Sequence, residues 1–205
     1  MYHPLYRLIR ITLLSALLTT VSPSIGLPDS LPVPLISQET RMWCWAASTQ
    51  MIMRYFGHEV DQCIQANNRF SLNDCCKIDL CPPPTEPANP CVTGGWPEFD
   101  KYGYTFKRTS NTALSWEELK IQIGGSPAGK KKPVAFSWFW PGGGGHMMVV
   151  KGFFIQDNKK YVEILDPWRP CYGTEKVITY EFYKESLGHH THWHDFYDIE
   201  YQGGN

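Results

Sequence analysis

Two periodicities divide this chain. From Cys44 to Tyr55, small or apolar residues fall at Trp45, Ala46, Ser48, Thr49, Ile52, Met53 and then Phe56, the spacing of a helical face, and Gly57 supplies a stop. Ala46, Ala47 and Ser48 are small enough to let such a helix pack close to its neighbours. A second helix is predicted over Ser115 to Ile123, with Ser115 as N-cap and Glu117 and Glu118 in the first turn. From Lys132 onward the period shortens. PVAFSWFW, HMMVVKGFF, KYVEILDPW, KVITYEFY and WHDFYDIEY are β-type runs separated by Gly, Asp-Asn and Pro signals. Helices first and strands second predict an α+β fold, a helical half packed on a twisted antiparallel sheet.

The remaining stretches are less regular. Leu31 to Ser37 is Pro-rich and reads as a strand or a draped segment. Residues 58–97 read as loop-dominated, because PPPTEPANP forbids regular structure. Trp96 to Tyr102 reads as a short helix. The first residues have a character of their own: Arg7 and Arg10 precede an apolar run from Ile11 to Val21, and Pro23 to Gly26 follow. The run is about 11 residues, well short of the ~20 that span a bilayer. A basic start, a short apolar stretch and small residues predict a signal peptide at 1–26, followed by one domain at 27–205. The expected location is secreted or periplasmic, with no stable membrane anchor after cleavage and no inhibitory pro-segment.

Export changes the meaning of the seven cysteines, because disulfides persist in oxidising compartments. Cys63, Cys75, Cys76, Cys81 and Cys91 lie within 29 positions and Cys171 stands apart. These six are disulfide candidates in any of 15 pairings, with adjacent Cys75 and Cys76 expected to tie to different segments. No repeated CxxC and no interleaved histidine supports zinc, so no metal is expected. The formal net charge of −1 gives no reason to expect a nucleic acid partner.

One thiol is then left over. Cys44 sits between two tryptophans in QETRMWCWAAS, at the predicted start of a helix and six residues after Gln38. A helix N-terminus favours a thiolate. His146 opens one apolar run and Asp166 closes another, in the order nucleophile, base, orienter. Gln38 could offer its amide to a developing oxyanion beside the Cys44 N–H. Gly142 to Gly145 would bring backbone close to a substrate and carry His146 into a cleft. His190, His192 and His194 alternate in GHHTHWHD and are expected on a solvated face of the last strand rather than around a metal.

Gln38, Cys44-Trp45, His146 and Asp166-Pro167-Trp168 resemble the papain-like cysteine peptidases, with the secreted bacterial members that include plant-pathogen effector peptidases closest in pattern. The resemblance runs from about Pro34 to Tyr201. It implies a helical half and a β half with the active-site cleft between them. It also implies Cys44, His146, Asp166 and Gln38 as catalytic residues. The stretch DCC to NPCVTGGWPEFDKYGY resembles the family's disulfide-rich segment, which makes Gly94 and Gly95, with Trp96 and Trp45, the substrate-binding candidates. Trp168 would shield the His–Asp contact or belong to the core. The chain departs from papain in using Asp166 in place of an asparagine and in placing Pro167 where a serine is common. The implied function is peptide-bond hydrolysis through a thioester, by a monomer that uses no cofactor and takes a protein or peptide substrate. The rival readings are an acyltransferase or amidase on the same triad, and an inert disulfide-stapled binding module.

Overall fold

The computed structural model describes residues 29–78, 89–125 and 129–203. The predicted signal peptide at 1–26 and the disulfide candidate Cys81 lie outside them. The fold is α+β, and its two halves follow the two periodicities.

The helical half is built on α1 (Cys44–Tyr55) and α2 (Gln62–Phe70). Every residue of α1 from Trp45 to Met53 is buried, so this helix is central rather than amphipathic. It packs on α2 on one side and on the sheet on the other. The helix α2 was not expected in a segment read as loop. Its sequence, QCIQANNRF, has almost no apolar stripe, and it is buried through Gln62, Gln65 and Ala66. The glutamines satisfy themselves on backbone: Gln65 Nε2 donates to the carbonyls of Ala46 (3.1 Å) and Val60 (2.8 Å). Disulfides Cys63–Cys76 and Cys75–Cys91 staple this region, so the adjacent cysteines do tie to different segments. Cys171 is also disulfide-bonded. The expected helix at Trp96 to Tyr102 is a single 3-10 turn, Phe99–Tyr102.

The sheet half is antiparallel throughout, with strands β2 (Tyr104–Arg108), β3 (Val134–Phe139), β4 (Gly145–Gln156), β5 (Lys159–Asp166), β6 (Thr174–Thr179) and β8 (His190–Tyr201) in the order β2-β8-β3-β4-β5-β6. Two-residue strands β1 (Asp29–Ser30) and β7 (Glu185–Ser186) pair with β4 and β8. The draped reading of Leu31 to Ser37 holds, since strand pairing there stops at Ser30. Strands β4 and β5 form a hairpin whose corner, Asp157-Asn158, has φ of 49° and 60° at its two residues, the left-handed pair that suits a tight hairpin. Helix α3 (Trp116–Gly124) starts where predicted, with Ser115 and Glu118 forming a capping box.

Two strand expectations need correction. KVITYEFY is not one strand: β6 ends at Thr179, whose hydroxyl accepts from Phe182 N and caps helix α4 (Tyr180–Lys184). The histidines of β8 are not solvated. His190, His192 and His194 are all less than 9% exposed. Each turns a ring nitrogen to a backbone carbonyl, of Phe182, Tyr183 and Thr109 respectively. Burial lowers the basicity of His190 and His194, which suits neutral rings held in a core. No helix among the described residues is long and apolar enough to cross a membrane.

Candidate active site

A cleft of about 740 Å³ opens between the halves. Its walls come from the turn before α1 (Arg41, Met42) and the first residue of α1 (Cys44), the segment Gly94 to Trp96, the β3–β4 hairpin (Trp140, Gly144, Gly145, His146), the end of β5 and the residues after it (Asp166, Trp168) and Trp193 of β8. Helix and sheet residues predicted for one site therefore do meet.

Cys44 is the first residue of α1 and the one free cysteine among the described residues. The first backbone N–H groups of a helix have no intrahelical partner, so the thiol sits in their positive field. Facing it is His146, the second residue of β4. Gly145 before it cannot be replaced without displacement, since a Cβ there would come within 2.2 Å of the Trp138 carbonyl. His146 Nε2 meets Asp166 Oδ1 at 2.6 Å. Nδ1 is then left for the thiol of Cys44, which lines the same cleft and is close enough to raise the basicity of the ring. Burial alone would lower the basicity of His146. The hydrogen bonds and negative charge of Asp166 and Cys44 outweigh it and push the imidazole up to about 9. Burial likewise raises Asp166, but His146, Lys176 and the Trp168 N–H together hold its carboxyl below the ordinary value.

Asp166 is fixed from several sides. The Trp168 N–H donates to Oδ1 at 2.9 Å and Lys176 Nζ to Oδ2 at 2.6 Å. The Trp168 ring lies edge-on to His146, with centroids 6.5 Å apart, and is 48% exposed. It is thus a lid over the His–Asp contact and not part of the core.

Gln38 occupies a different position from the cleft wall. It is fully buried, its Nε2 donates to the Thr40 carbonyl at 2.7 Å, and its Oε1 has no hydrogen-bond partner among the described residues. Its backbone joins the two halves. Gln38 N donates to Pro167 O (3.0 Å), and Cys171 N donates to Gln38 O (2.9 Å). The strap from Ser37 to Thr40 is held in turn by Gln62 of α2. That side chain donates to Ser37 O (2.9 Å) and accepts from Glu39 N (3.0 Å). Neither Gln62 nor Lys176 was singled out by sequence. A glutamine in a polar stretch and a lysine on an exposed strand carry no periodic signal.

Of the substrate-binding candidates, Gly94, Gly95 and Trp96 line the cleft, whereas Trp45 does not. It is 1% exposed and lies under Gly95, whose Cβ would come within 2.8 Å of its ring. A Cβ at Gly95 would also come within 2.5 Å of Arg69 Nε, so only glycine lets the chain pass here. Trp193 was missed. It crosses Trp96 edge-on at 4.6 Å and closes one end of the cleft.

A model of the Peptidase_C39-like family matches residues 30–196, and the chain belongs to that family. It is a cysteine peptidase, in agreement with the papain-like resemblance of its sequence. Among curated proteins none matches. Among solved structures, a chain from work on the limited antibody cross-reactivity between the mite allergens Blo t 1 and Der p 1 superposes with a TM-score of 0.48 at 13% identity. The superposition covers 88% of this chain and 73% of that one.

Proposed function

We propose that this protein is a secreted cysteine peptidase that hydrolyses peptide bonds through Cys44, His146 and Asp166. The observation that carries the reading is the unpaired thiol at the N-terminus of α1, in one cleft with an imidazole whose Nε2 lies 2.6 Å from a carboxylate. Every other cysteine among the described residues is in a disulfide. That pattern fits an oxidising compartment, and with the basic-apolar leader it supports export.

An extended peptide lies along Gly94-Gly95, where the lack of side chains exposes backbone. The Cys44 thiolate attacks the scissile carbonyl, and the negative oxygen of the tetrahedral intermediate is met by the Cys44 N–H. Gln38, buried behind the cleft wall with its amide on the Thr40 carbonyl, supports this site by holding the strap that leads to Cys44. His146, as imidazolium, gives its Nδ1 proton to the leaving amine and leaves a thioester on Cys44. The neutral ring then takes a proton from water, which attacks the thioester and releases the acid. Asp166 holds the ring in the tautomer and orientation both steps need.

The test is digestion of a peptide library by the oxidised protein and by Cys44→Ala. Wild type is expected to release new carboxyl termini, and the variant to lose activity by about 10⁴-fold or more without losing its fold. Product in which the acyl group has passed to an added amine, with no free acid, would instead make it a transferase. The pH dependence has a definite sign. Hydrolysis falls as pH rises through about 9, where His146 gives up the proton it must donate. The same raised basicity stabilises the fold fully below the ordinary histidine value near 6.5, and that contribution is lost as pH rises through about 9.

A further inference from the structure

Behind the His146–Asp166 pair is a second cavity of about 500 Å³, walled by Trp138, Met148, Ile164, Ile178 and Phe182, and it reaches Asp166 and Lys176. A buried carboxylate facing such a space needs a partner on each oxygen. Asp166 Oδ1 has His146 and the Trp168 N–H, and Oδ2 has Lys176 Nζ at 2.6 Å. The sheet register makes this contact. On β6, Thr174 stands opposite Asp166 and Lys176 opposite Ile164, so Lys176 lies diagonally across from Asp166 on the same face. The neighbouring Glu175 points the other way and pairs with Lys151. Lys176 is therefore not one member of a general surface lattice. Its half-exposed side chain is turned onto a carboxylate whose own side chain is 6% exposed.

We infer that Lys176 is a positioning residue for the reaction: it clamps Oδ2 so that Oδ1 stays aimed at His146, and it offsets part of the Asp166 charge so that His146 can release its proton to the leaving amine. This rests on the peptidase reading of the site. The charged or titratable groups around His146 are Cys44 from α1, Asp166 from β5, Lys176 from β6 acting through Asp166, Arg41 and Arg69 at the cleft and His189 at the second cavity. Among these, Lys176 places its ammonium 2.6 Å from the Asp166 carboxylate. Its removal leaves the full negative charge of Asp166 directed at the imidazole, which holds its proton more tightly.

The experiment compares wild type, Lys176→Met and Lys176→Arg in two assays across pH: alkylation of Cys44 by iodoacetamide, and peptide hydrolysis. For Lys176→Met, kcat is expected to fall roughly tenfold with KM unchanged. The upper inflection of the alkylation profile is expected to move up by roughly half a pH unit, a modest shift because the lysine is half exposed. Lys176→Arg is expected to keep the wild-type inflection and most of the rate. Lys176→Met with a profile superimposable on wild type, whatever its melting temperature, would overturn the inference, because a purely structural lysine changes stability and not the titration. The two readings fail separately. Wild type that alkylates with the expected upper inflection but cleaves no peptide sinks the peptidase reading alone, and an unmoved inflection in Lys176→Met sinks the lysine alone.

Discussion

The two halves of this molecule are held by different forces. Across the sheet, β3, β4 and β5 present Val134, Phe136, Met148, Val149, Val150, Val162, Ile164 and Leu165, all essentially unexposed. Burial of that kind is strong and non-directional. Between α1 and α2 the interior includes Gln50, Gln62 and Gln65, nearly as buried but each hydrogen-bonded to specific partners. There each contact has a direction, and disulfides do work that apolar area does elsewhere. The proposed nucleophile belongs to the directional half, whereas the proposed base and its orienter belong to the apolar one. The chemistry thus depends on registering a bonded scaffold against a packed scaffold, and Gln38 is the place where backbone hydrogen bonds join them.

If that contrast is right, the largest stability loss comes from the sheet. Phe136 is fully buried against Trp138, Tyr183 and His192. Phe136→Ala is expected to cost about 3–5 kcal/mol in denaturant unfolding under oxidising conditions. A cost near 1 kcal/mol would mean that the sheet tolerates a cavity as readily as a surface site does, and the contrast would collapse.

The next effect is in the stapled half. Cys75–Cys91 closes a loop of sequence separation 16. The double variant Cys75→Ala, Cys91→Ala is expected to lose about 3 kcal/mol, chiefly by freeing the unfolded chain. Proteolysis in this variant should begin near α2 and leave the sheet protected. Cleavage starting in β3–β5 instead would show that the two halves melt as one.

The same contrast decides what could be read from sequence. The strands announced themselves as runs of β-branched, aromatic and other apolar residues between Gly, Asp-Asn and Pro breaks, and α1 did because a run of small and apolar residues ends at Gly57. The residues of the proposed triad were legible because each sits at an element boundary beside an unusual neighbour: Cys44 between tryptophans, His146 after a glycine run, Asp166 before proline. By contrast α2 was invisible, because its buried face is made of glutamines whose partners are carbonyls far along the chain. The β8 histidines misled for a similar reason. Alternation marks a shared face but does not say which side is water, and here paired carbonyls make burial affordable. Strand β2, YTFKR, escaped notice because it is only five residues long and is defined by pairing with β8. Lys176 was out of reach because its role depends on a diagonal across two strands.

The smallest effect is the most informative about how the halves register. Gln62 holds the strap on both sides of Gln38 through Ser37 O and Glu39 N, and it also donates to Gln50. Gln65, one turn on, makes two bonds of the same kind, to Ala46 O and Val60 O, neither of them on the strap. Leucine in place of either residue keeps the volume and removes the bonds, leaving carbonyls unpaired. Each variant is expected to lose about 1–3 kcal/mol of stability. Activity should separate them. Gln62→Leu is expected to lower kcat by roughly tenfold, because a strap displaced by a fraction of an ångström carries Gln38 and the approach to Cys44 with it. Gln65→Leu should leave kcat nearly unchanged at equal stability loss. Equal kcat in the two variants would mean that the strap takes its position from Pro167 and Cys171 alone, and that the directional half contributes stability to the site without contributing its alignment.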